Sequence, residues 1–342
     1  MELEIRAKVT EHRSYTGVCR RCNATVKNDM PLQDTITYGE TVKAFAAMLG
    51  SEGLVSISRI KAMLFEITGG AIALSEGTIA KWNKELSGKL APFIKEKLLV
   101  QPVLRKDETG IRIANSLQWL HMLGNEVYTL YFSNKKRGNE ADKEAGILPG
   151  YGGVLVHDHL KGLYSFTCGH AECNAHILRY LKSAAETNKC VWAAAMTAFL
   201  TDANNIVKEH KARNIPALDG AALAECRARY DGILEQGRPE FFQGGKKDYN
   251  SEDMKLLRRL KECKREHLRF LSDFRVPFDN NLAERDLRMI KGKTKVSGCF
   301  RGNGGGTVFA NIKSYTSTLR KNSRNIFKGL KAAFLGVPFS WA

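Results

Sequence analysis

The sequence pattern changes at Pro102, and the segment that follows limits the fold more than any other. VLRKDETG, SLQWLHMLG and VYTLYF each predict a strand, with turns at Thr109-Gly110 and Gly124-Asn125. A helix, a buried strand and a second helix are predicted next, over residues 137–148, 152–159 and 172–186. Strands that alternate in this way with helices indicate an α/β layer structure rather than a helical bundle.

Helical patterns flank this unit on both sides. Three short helices are predicted over 38–49, 58–67 and 75–86, and Gly69-Gly70 separates the last two. This arrangement predicts a helix-turn-helix whose final helix enters a DNA groove. The alternative is a small bundle with only a packing role, because Lys81 and Lys84 are the only basic residues on the last helix.

A second helical region, over 188–274, separates the α/β unit from a basic C-terminal part. Its mixed charge and helical pattern predict an insertion, with a glycine-rich interruption at 239–250. At 342 residues the chain is long enough for two or three domains. The predicted division is a partial zinc-finger-like segment, a helical DNA-binding domain, the first part of the α/β core, the helical insertion and the last part of the core, over 1–36, 37–99, 100–187, 188–274 and 275–342.

The formal net charge of +17 is concentrated near the C-terminus. Residues 254–331 carry 20 basic and six acidic side chains. Such a localised surplus favours a nucleic-acid partner, through phosphate contacts and counterion release. A membrane surface is the alternative, but no amphipathic anchor, lipidation signal or apolar run of about 20 residues accompanies the charge. We therefore expect an intracellular protein with reduced cysteines and no membrane partner.

Two groups of cysteines have the residue types of a zinc site. Cys19 and Cys22 form one CxxC, which is half of a structural zinc site and needs two further ligands from elsewhere. The second group is CxHxxCxxH, formed by Cys168, His170, Cys173 and His176. The alternative for the second group is that His176 and Arg179 face DNA or an active site, with Cys173 in the core.

Three acids are candidate ligands of a catalytic metal. Asp107 is predicted at the end of the first strand of the α/β unit, and Asp158 at the end of the later buried strand. Glu284 lies at the start of a helix within 276–300. Carboxylates at strand ends can converge across a sheet, and their hard oxygen atoms suit Mg²⁺ or Mn²⁺. Together they would hold two ions for phosphoryl transfer.

Each acid also has a structural alternative. Asp107 and Asp158 can be ordinary polar strand ends, and Glu284 follows Asn281 at the spacing of a capping box. The nearby acids Glu108, Asp279 and Asp286 are alternatives that spacing alone does not exclude.

Basic residues follow Glu284 in a dense run that predicts contacts to DNA phosphates. Arg288 shares the helical face of Glu284. The predicted DNA-binding residues are Arg285, Arg288, Lys291, Lys293, Lys295 and Arg301. His157 and His159 flank Asp158 and are predicted to point away from it, either to orient a ligand or as buried histidines.

Six sequence blocks resemble bacterial insertion-sequence transposases of the insertion sequence sixty-six group, whose transposase is often called TnpC. They are KDETG, WLHML, RGNEA, VHDH, HAECNAHILR and PFDNNLAERDLRMIKGKTKVSGCFR, at 106–110, 119–123, 137–141, 156–159, 170–179 and 277–301. The likeness extends over nearly the whole chain, and the last block is long and specific. Family members usually carry more sequence before the CxxC, so this chain resembles an N-terminally shortened copy.

The resemblance implies a DDE transposase with a ribonuclease-H-like core, a helical insertion and a two-metal mechanism. Matched block by block, the catalytic acids of that family fall on Asp107, Asp158 and Glu284. The resemblance also implies that the protein acts on transposon ends and target DNA in the bacterial cytoplasm, at the nucleoid, as a homo-oligomer with helper proteins from the same element. Two other functions stay open: a nuclease on the same fold, and a non-catalytic DNA-binding remnant.

Overall fold

The fold is a mixed α/β arrangement, as the sequence predicts, and its main sheet contains the four predicted strands and one further strand. The computed structural model describes residues 2, 5–13, 15–27, 36–240, 251–297, 299, 300, 302 and 304–338, with the backbone alone at 91, 238–240 and 293–297. The strands are β1 (Thr16–Val18), β2 (Thr25–Lys27), β3 (Val103–Ile113), β4 (Ser116–Gly124), β5 (Thr129–Asn134), β6 (Val154–His157) and β7 (Gly169–Glu172). The helices are α1 (Glu40–Ser51), α2 (Ile57–Ile67), α3 (Glu76–Leu99), α4 (Asn139–Ala145), α5 (Asn174–Thr187), α6 (Val191–Ala212), α7 (Gly220–Glu240), α8 (Glu252–Glu262), α9 (Lys264–Ser272), α10 (Asn281–Ser297), α11 (Gly305–Lys321) and α12 (Ile326–Phe334).

The main sheet has the strand order β5-β4-β3-β6-β7. Strands β3, β4 and β5 form an antiparallel meander, while β6 pairs parallel with β3 and β7 pairs parallel with β6. The long strand β3 is therefore central, with hairpin neighbours on one side and crossover connections on the other. Strands β1 and β2 form a separate exposed hairpin.

The structure corrects the predicted length of the first strand. Strand β3 continues past Thr109-Gly110 to Ile113, and the turn comes at Ala114 and Asn115. Both turn residues have positive φ, 48° and 64°, as a two-residue hairpin turn of type I′ requires. Asp107 therefore lies inside a strand, not at its end.

The N-terminal helices pack into the core of the sheet. The predicted helix over 75–86 is α3, which continues to Leu99 because Leu86, Leu90, Ile94 and Leu98 extend its apolar stripe at intervals of four residues. All four side chains are fully buried, in one cluster with Leu104 of β3 and Tyr315 of α11. The structure thus joins the predicted helix-turn-helix to the sheet and to α11.

Helices cover both faces of the sheet. Helices α3, α11 and α12 pack with Leu104, Leu123 and Leu155 on one face. On the other face, α10 packs against β3, β4 and β5, and α5 packs near β6 and β7 with the helices of the predicted insertion. That insertion consists of α6 to α9, and the interruption predicted at 239–250 falls outside the described residues, except that α7 extends to Glu240. None of the helices in the described part of the chain is long and apolar enough to cross a bilayer.

Candidate active site

The parallel pairing of β3 and β6 places the two aspartates side by side. The strands pair Val103 with Val154 and Arg105 with Val156. If the same offset is continued by two residues, Asp158, the first residue after β6, is level with Asp107. Both residues then lie on the sheet face that α5 and α10 cover, because side chains alternate along a strand.

Strand alternation also separates Asp107 from its neighbour Glu108. Glu108 points to the opposite face, where its Oε1 accepts a 3.0 Å hydrogen bond from Arg137 Nε and its Oε2 lies 3.6 Å from Lys106 Nζ. The carboxylate of Glu108 is thus bound by two cations. Of the two adjacent acids, Asp107 is the one directed toward Asp158.

Helix α10 supplies the third acid from its first turn. Its apolar residues Ala283, Leu287 and Ile290 pack on the β3–β5 face of the sheet, together with Met122 and Tyr131. Because α10 is held by this stripe, the adjacent helical face carries Glu284, Arg288 and Lys291 into the space in front of Asp107 and Asp158.

The spacing of Asn281 and Glu284 was compatible with a capping box, but the first turn of α10 does not form one. The amide of Asn281 donates to Asp279 Oδ1 at 3.0 Å. Glu284 is the fourth residue of the helix, and its Oε1 is buried with no hydrogen-bond partner. Asp286 is bound on another side of the helix, where its Oδ2 accepts from Lys321 Nζ at 2.6 Å. Asp279 and Asp286 therefore have structural roles, and Glu284 faces the acids of the sheet.

These elements line a cleft of about 230 Å³. Its lining residues are Asp107, Glu108, Thr109, Asp158, His176, Glu284, Leu287, Arg288 and Lys291. The cleft thus combines the three predicted acids, a histidine and two of the predicted basic residues.

The carboxyl group of Asp107 is largely buried and lies near other negative charges. Burial, together with the negative charges of Asp158 and Glu108, raises the pKa of Asp107 to about 7, although the hydrogen bond from the Glu108 amide and the charge of Lys106 oppose this rise. Ionisation of such a carboxyl group costs free energy, and a bound divalent cation would offset that cost.

Two side chains of α5 contact the acid from α10. His176 Nε2 lies 3.7 Å and Arg179 Nη2 3.6 Å from Glu284 Oε1. Burial lowers the pKa of His176, and the charge of Arg179 lowers it further. The alternative considered for the CxHxxCxxH segment, in which His176 and Arg179 face an active site, matches this geometry.

The donor set of the cleft fits divalent ions that prefer oxygen. Glu284 Oε1 is a buried acceptor without a hydrogen-bond donor, and the Asp107 carboxyl is held next to a like charge. Within the described residues, two groups of three side chains have ligand atoms within 4.8 Å of one another: His159, Glu172 and Cys263, and Cys173, His176 and Glu284. Neither group consists of the three acids.

The residues predicted to bind zinc lie in different places. Cys173 and His176 are beside Glu284, whereas His170 Nδ1 lies 3.2 Å from His157 Nε2 and its Nε2 is 4.0 Å from Cys168 Sγ. Among the residues that the structure describes, no three of these four have ligand atoms within 4.8 Å of one another.

The other cysteine pair belongs to the exposed β1–β2 hairpin. Cys19 and Cys22 lie at its turn, where the amide of Asn23 donates to Cys19 O at 2.8 Å. Backbone amide donors, first that of Arg21 and then that of Cys22, lower the pKa of Cys19. Two thiols in such a turn remain half of a zinc site.

The predicted DNA-binding residues also lie in different places. Arg288 and Lys291 line the cleft, and Arg285 is exposed on α10 outside it. Lys293 and Lys295 belong to the last part of α10, where the backbone alone is described, and Arg301 lies outside the described residues.

Sequence reasoning missed two polar residues that support the site. Asn280 is 1% exposed, and its Nδ2 donates to Lys106 O at 2.8 Å, beside Asp107. Glu172 is fully buried below the Asp158 loop. Asn280 stands between Asp279 and Asn281, so the local sequence gives no signal that its side chain is buried.

The fold thus brings Asp107 of β3, Asp158 after β6, Glu284 of α10 and basic side chains into one cleft. The family model described as "Transposase IS66 family" matches residues 36–308, which is more than half of the chain. The chain therefore belongs to the IS66 family of transposases. Membership implies a role in DNA transposition, with DNA as the partner. No curated protein matches the sequence.

Proposed function

We propose that the protein is a DDE transposase that cleaves DNA at the ends of its insertion sequence and joins the 3′ ends to target DNA. The observation that carries the proposal is the convergence of Asp107, Asp158 and Glu284 on one cleft that also holds Arg288 and Lys291. The sheet order, an antiparallel meander followed by two parallel strands, supports a ribonuclease-H-like core.

Asp107, Asp158 and Glu284 are the proposed ligands of two Mg²⁺ or Mn²⁺ ions. Such ions, when bound, would activate the attacking oxygen and stabilise the leaving oxygen of an in-line displacement at phosphorus. The carboxylates hold negative charge where phosphate must also bind, so the cleft needs cationic side chains of its own. Arg288 and Lys291, four and seven residues after Glu284, provide these on the same helical face.

The proposed DNA path crosses the cleft along α10 and the start of α5. Arg288 and Lys291 would contact the phosphates on one side, and Arg179, which is exposed and 3.6 Å from Glu284, on the other. Contacts of this kind position the backbone of DNA and carry no sequence information. Action on two transposon ends would require at least two copies of the chain.

The test is replacement of Glu284 by Gln, which keeps the shape of the side chain and removes its charge. In an assay with pre-cut duplexes that carry the terminal sequences of the element, the wild type should form joined product in Mg²⁺. Glu284→Gln should lower the joining rate by about a hundredfold or more, since loss of a metal-binding charge removes transition-state stabilisation. The matched control is Glu96→Gln, on an exposed position of α3, which should join at the wild-type rate.

Two results would redirect the proposal. Hydrolysis of the duplex without joined product would identify a nuclease on this fold. Absence of metal-dependent activity in the wild type, or equal activity in Glu284→Gln, would indicate a DNA-binding protein without catalysis.

A further inference from the structure

A buried carboxylate outside the cleft gathers polar groups from several elements. Glu172, the last residue of β7, has a side chain that is 0% exposed. Its Oε1 is bound by His159 Nδ1 and by Tyr164 Oη, the latter at 2.5 Å. Its Oε2 accepts from Arg259 Nε at 2.9 Å and lies 3.7 Å from His267 Nε2. The β6–β7 connection, α8 and α9 therefore all contact the carboxylate of Glu172.

The two neighbours of Asp158 both contact this cluster. His159 binds Glu172 directly, and its amide donates to His157 Nδ1 at 3.3 Å. His157 lies with its ring edge-on to Tyr164, at 5.0 Å between centroids. Since both flanking side chains are held on the side away from the cleft, the side chain between them is directed into it.

The backbone of His159 has a conformation that needs support from surrounding contacts. Its φ is +73°, in the left-handed region that side chains other than glycine rarely adopt. Such a conformation persists when surrounding contacts determine it, and the contact in this case is the ring of His159 on Glu172.

A metal ion at this cluster is a weaker explanation, although His159, Glu172 and Cys263 have ligand atoms within 4.8 Å of one another. The guanidinium of Arg259 already binds Glu172 through two nitrogen atoms. A second cation on the same carboxylate would be repelled by it. The geometry is that of an ion-pair network.

We propose that Glu172 is a positioning residue for Asp158: through His159 it fixes the loop after β6 and so the carboxylate that the proposed function assigns to metal binding. Because Arg259 and His267 belong to α8 and α9, the helical segment between α5 and α10 becomes part of the support of the site. The inference rests on the proposed function for the role of Asp158, but the fixing of the loop does not depend on it.

The first experiment measures amide hydrogen exchange over 155–163 in the metal-free protein. His159→Gly removes the ring and suits a positive φ, so the backbone can keep its conformation while the link to Glu172 is lost. Exchange of the amides around Asp158 should become faster in His159→Gly and in Glu172→Gln. Lys189→Gly is the matched control, because Lys189 also has positive φ, 56°, and lies far along the chain from the cluster. Unchanged exchange in both variants would overturn the proposal, whatever the metal experiments give.

The second experiment measures Mn²⁺ binding by calorimetry and the Mn²⁺ dependence of joining. Both variants should weaken Mn²⁺ binding by about tenfold or more, as is usual for residues that orient a metal ligand, and high Mn²⁺ should restore the joining rate. Faster exchange with unchanged Mn²⁺ affinity would show that the loop does not control the ligand, and would also overturn the proposal. Failure of the wild type itself to bind Mn²⁺ would count against the proposed function instead.

Discussion

At the scale of single residues, Asn280 shows how the site is assembled from distant parts of the chain. Its Nδ2 donates to Lys106 O at 2.8 Å, and its amide donates to Cys173 Sγ at 3.2 Å. The residue before α10 is therefore bonded to the strand of Asp107 and to the start of α5. Each proposed catalytic element except the Asp158 loop is connected through this one side chain and its amide.

Asn280→Ala should destabilise the fold by about 1–3 kcal/mol, because a buried hydrogen bond is lost and Lys106 O is left without its donor. Urea denaturation followed by circular dichroism measures the change. Asn281→Ala, at the exposed next position, is the matched control and should change the free energy of unfolding by less than about 0.5 kcal/mol. Equal effects of the two substitutions would show that the Asn280 bonds are not needed.

The three acids could be predicted as candidates from the strand and helix patterns and from the resemblance to a family, although the predicted strand-end position of Asp107 was wrong. Asn280 and Glu172 could not be predicted in the same way. Glu172 meets Arg259, 87 residues later, and Asn280 meets Lys106, 174 residues earlier. Local patterns of charge and hydrophobicity carry no information on such pairs, which depend on how the elements pack.

At the scale of elements, the different faces of α10 contact different parts of the protein. Ala283, Leu287 and Ile290 bind it to the sheet, and Asp286 binds Lys321 of α11. This leaves the face of Glu284, Arg288 and Lys291 for the cleft. Periodicity predicted this helix and the shared face of Glu284 and Arg288, since spacings of three and four determine a helical face.

Arg288→Ala should weaken binding of the protein to duplex DNA and reduce the slope of log K against log salt concentration by about 1, because one phosphate contact is lost. Fluorescence anisotropy at several NaCl concentrations measures both quantities. Arg227→Ala removes an exposed arginine from α7 and should leave the slope unchanged. If the two variants have the same slope as the wild type, Arg288 does not contact phosphate.

The contact between β7 and α8 should make stability depend on pH. Although burial opposes ionisation, the hydrogen bond from His159 and the charges of His267 and Arg259 lower the pKa of Glu172 far below its ordinary value of 4.5. A lowered pKa means that the ionised form stabilises the fold above about pH 5, and that this contribution is lost as the pH falls.

Glu172→Gln should therefore lower the free energy of unfolding by about 3 kcal/mol at pH 7, because the charge of Arg259 loses its partner. The difference from the wild type should shrink as the pH falls from about 5 to 3, because the carboxyl group of Glu172 becomes protonated in the unfolded chain while it stays ionised in the folded one. Urea denaturation at each pH tests this, and a difference that stays constant over the range would contradict it.

The lengths of elements were less predictable than their existence. The glycine at 110 predicted a turn, but it lies within β3 opposite Trp119, because the turn chemistry of Ala114 and Asn115 sets the register instead. Strand β7 has only four residues, Gly169–Glu172, and two of its side chains are His170 and Glu172. Such a strand lacks an apolar alternation, and its buried polar groups are satisfied by partners from other elements.

At the scale of the whole molecule, the N-terminal helices are bound to the C-terminal ones by buried charge as well as by apolar contacts. Glu52 follows α1, and its Oε1 accepts from Lys313 Nζ of α11 at 2.8 Å. Lys313 is 2% exposed. The partner at the other oxygen of Glu52 is Arg320. This junction connects residues more than 250 positions apart in the sequence.

Glu52→Gln should destabilise the protein by about 3 kcal/mol, because it leaves the buried ammonium of Lys313 without its carboxylate. Glu66→Gln, on an exposed position of α2, is the matched control. Guanidinium denaturation should show one transition for both variants, shifted to lower denaturant only in Glu52→Gln. Equal midpoints for the two variants would contradict the proposed importance of this junction.

The chain leaves the sheet and returns to it at nearly the same place. The amide of Asn174, at the start of α5, donates to Phe278 O at 3.0 Å, just before α10. The intervening segment of about one hundred residues therefore has its two ends joined by a hydrogen bond. A change in the length of this segment should leave Asp158 and Glu284 in place only if it keeps the bond of Arg259 to Glu172 and the contacts of α5 with Glu284.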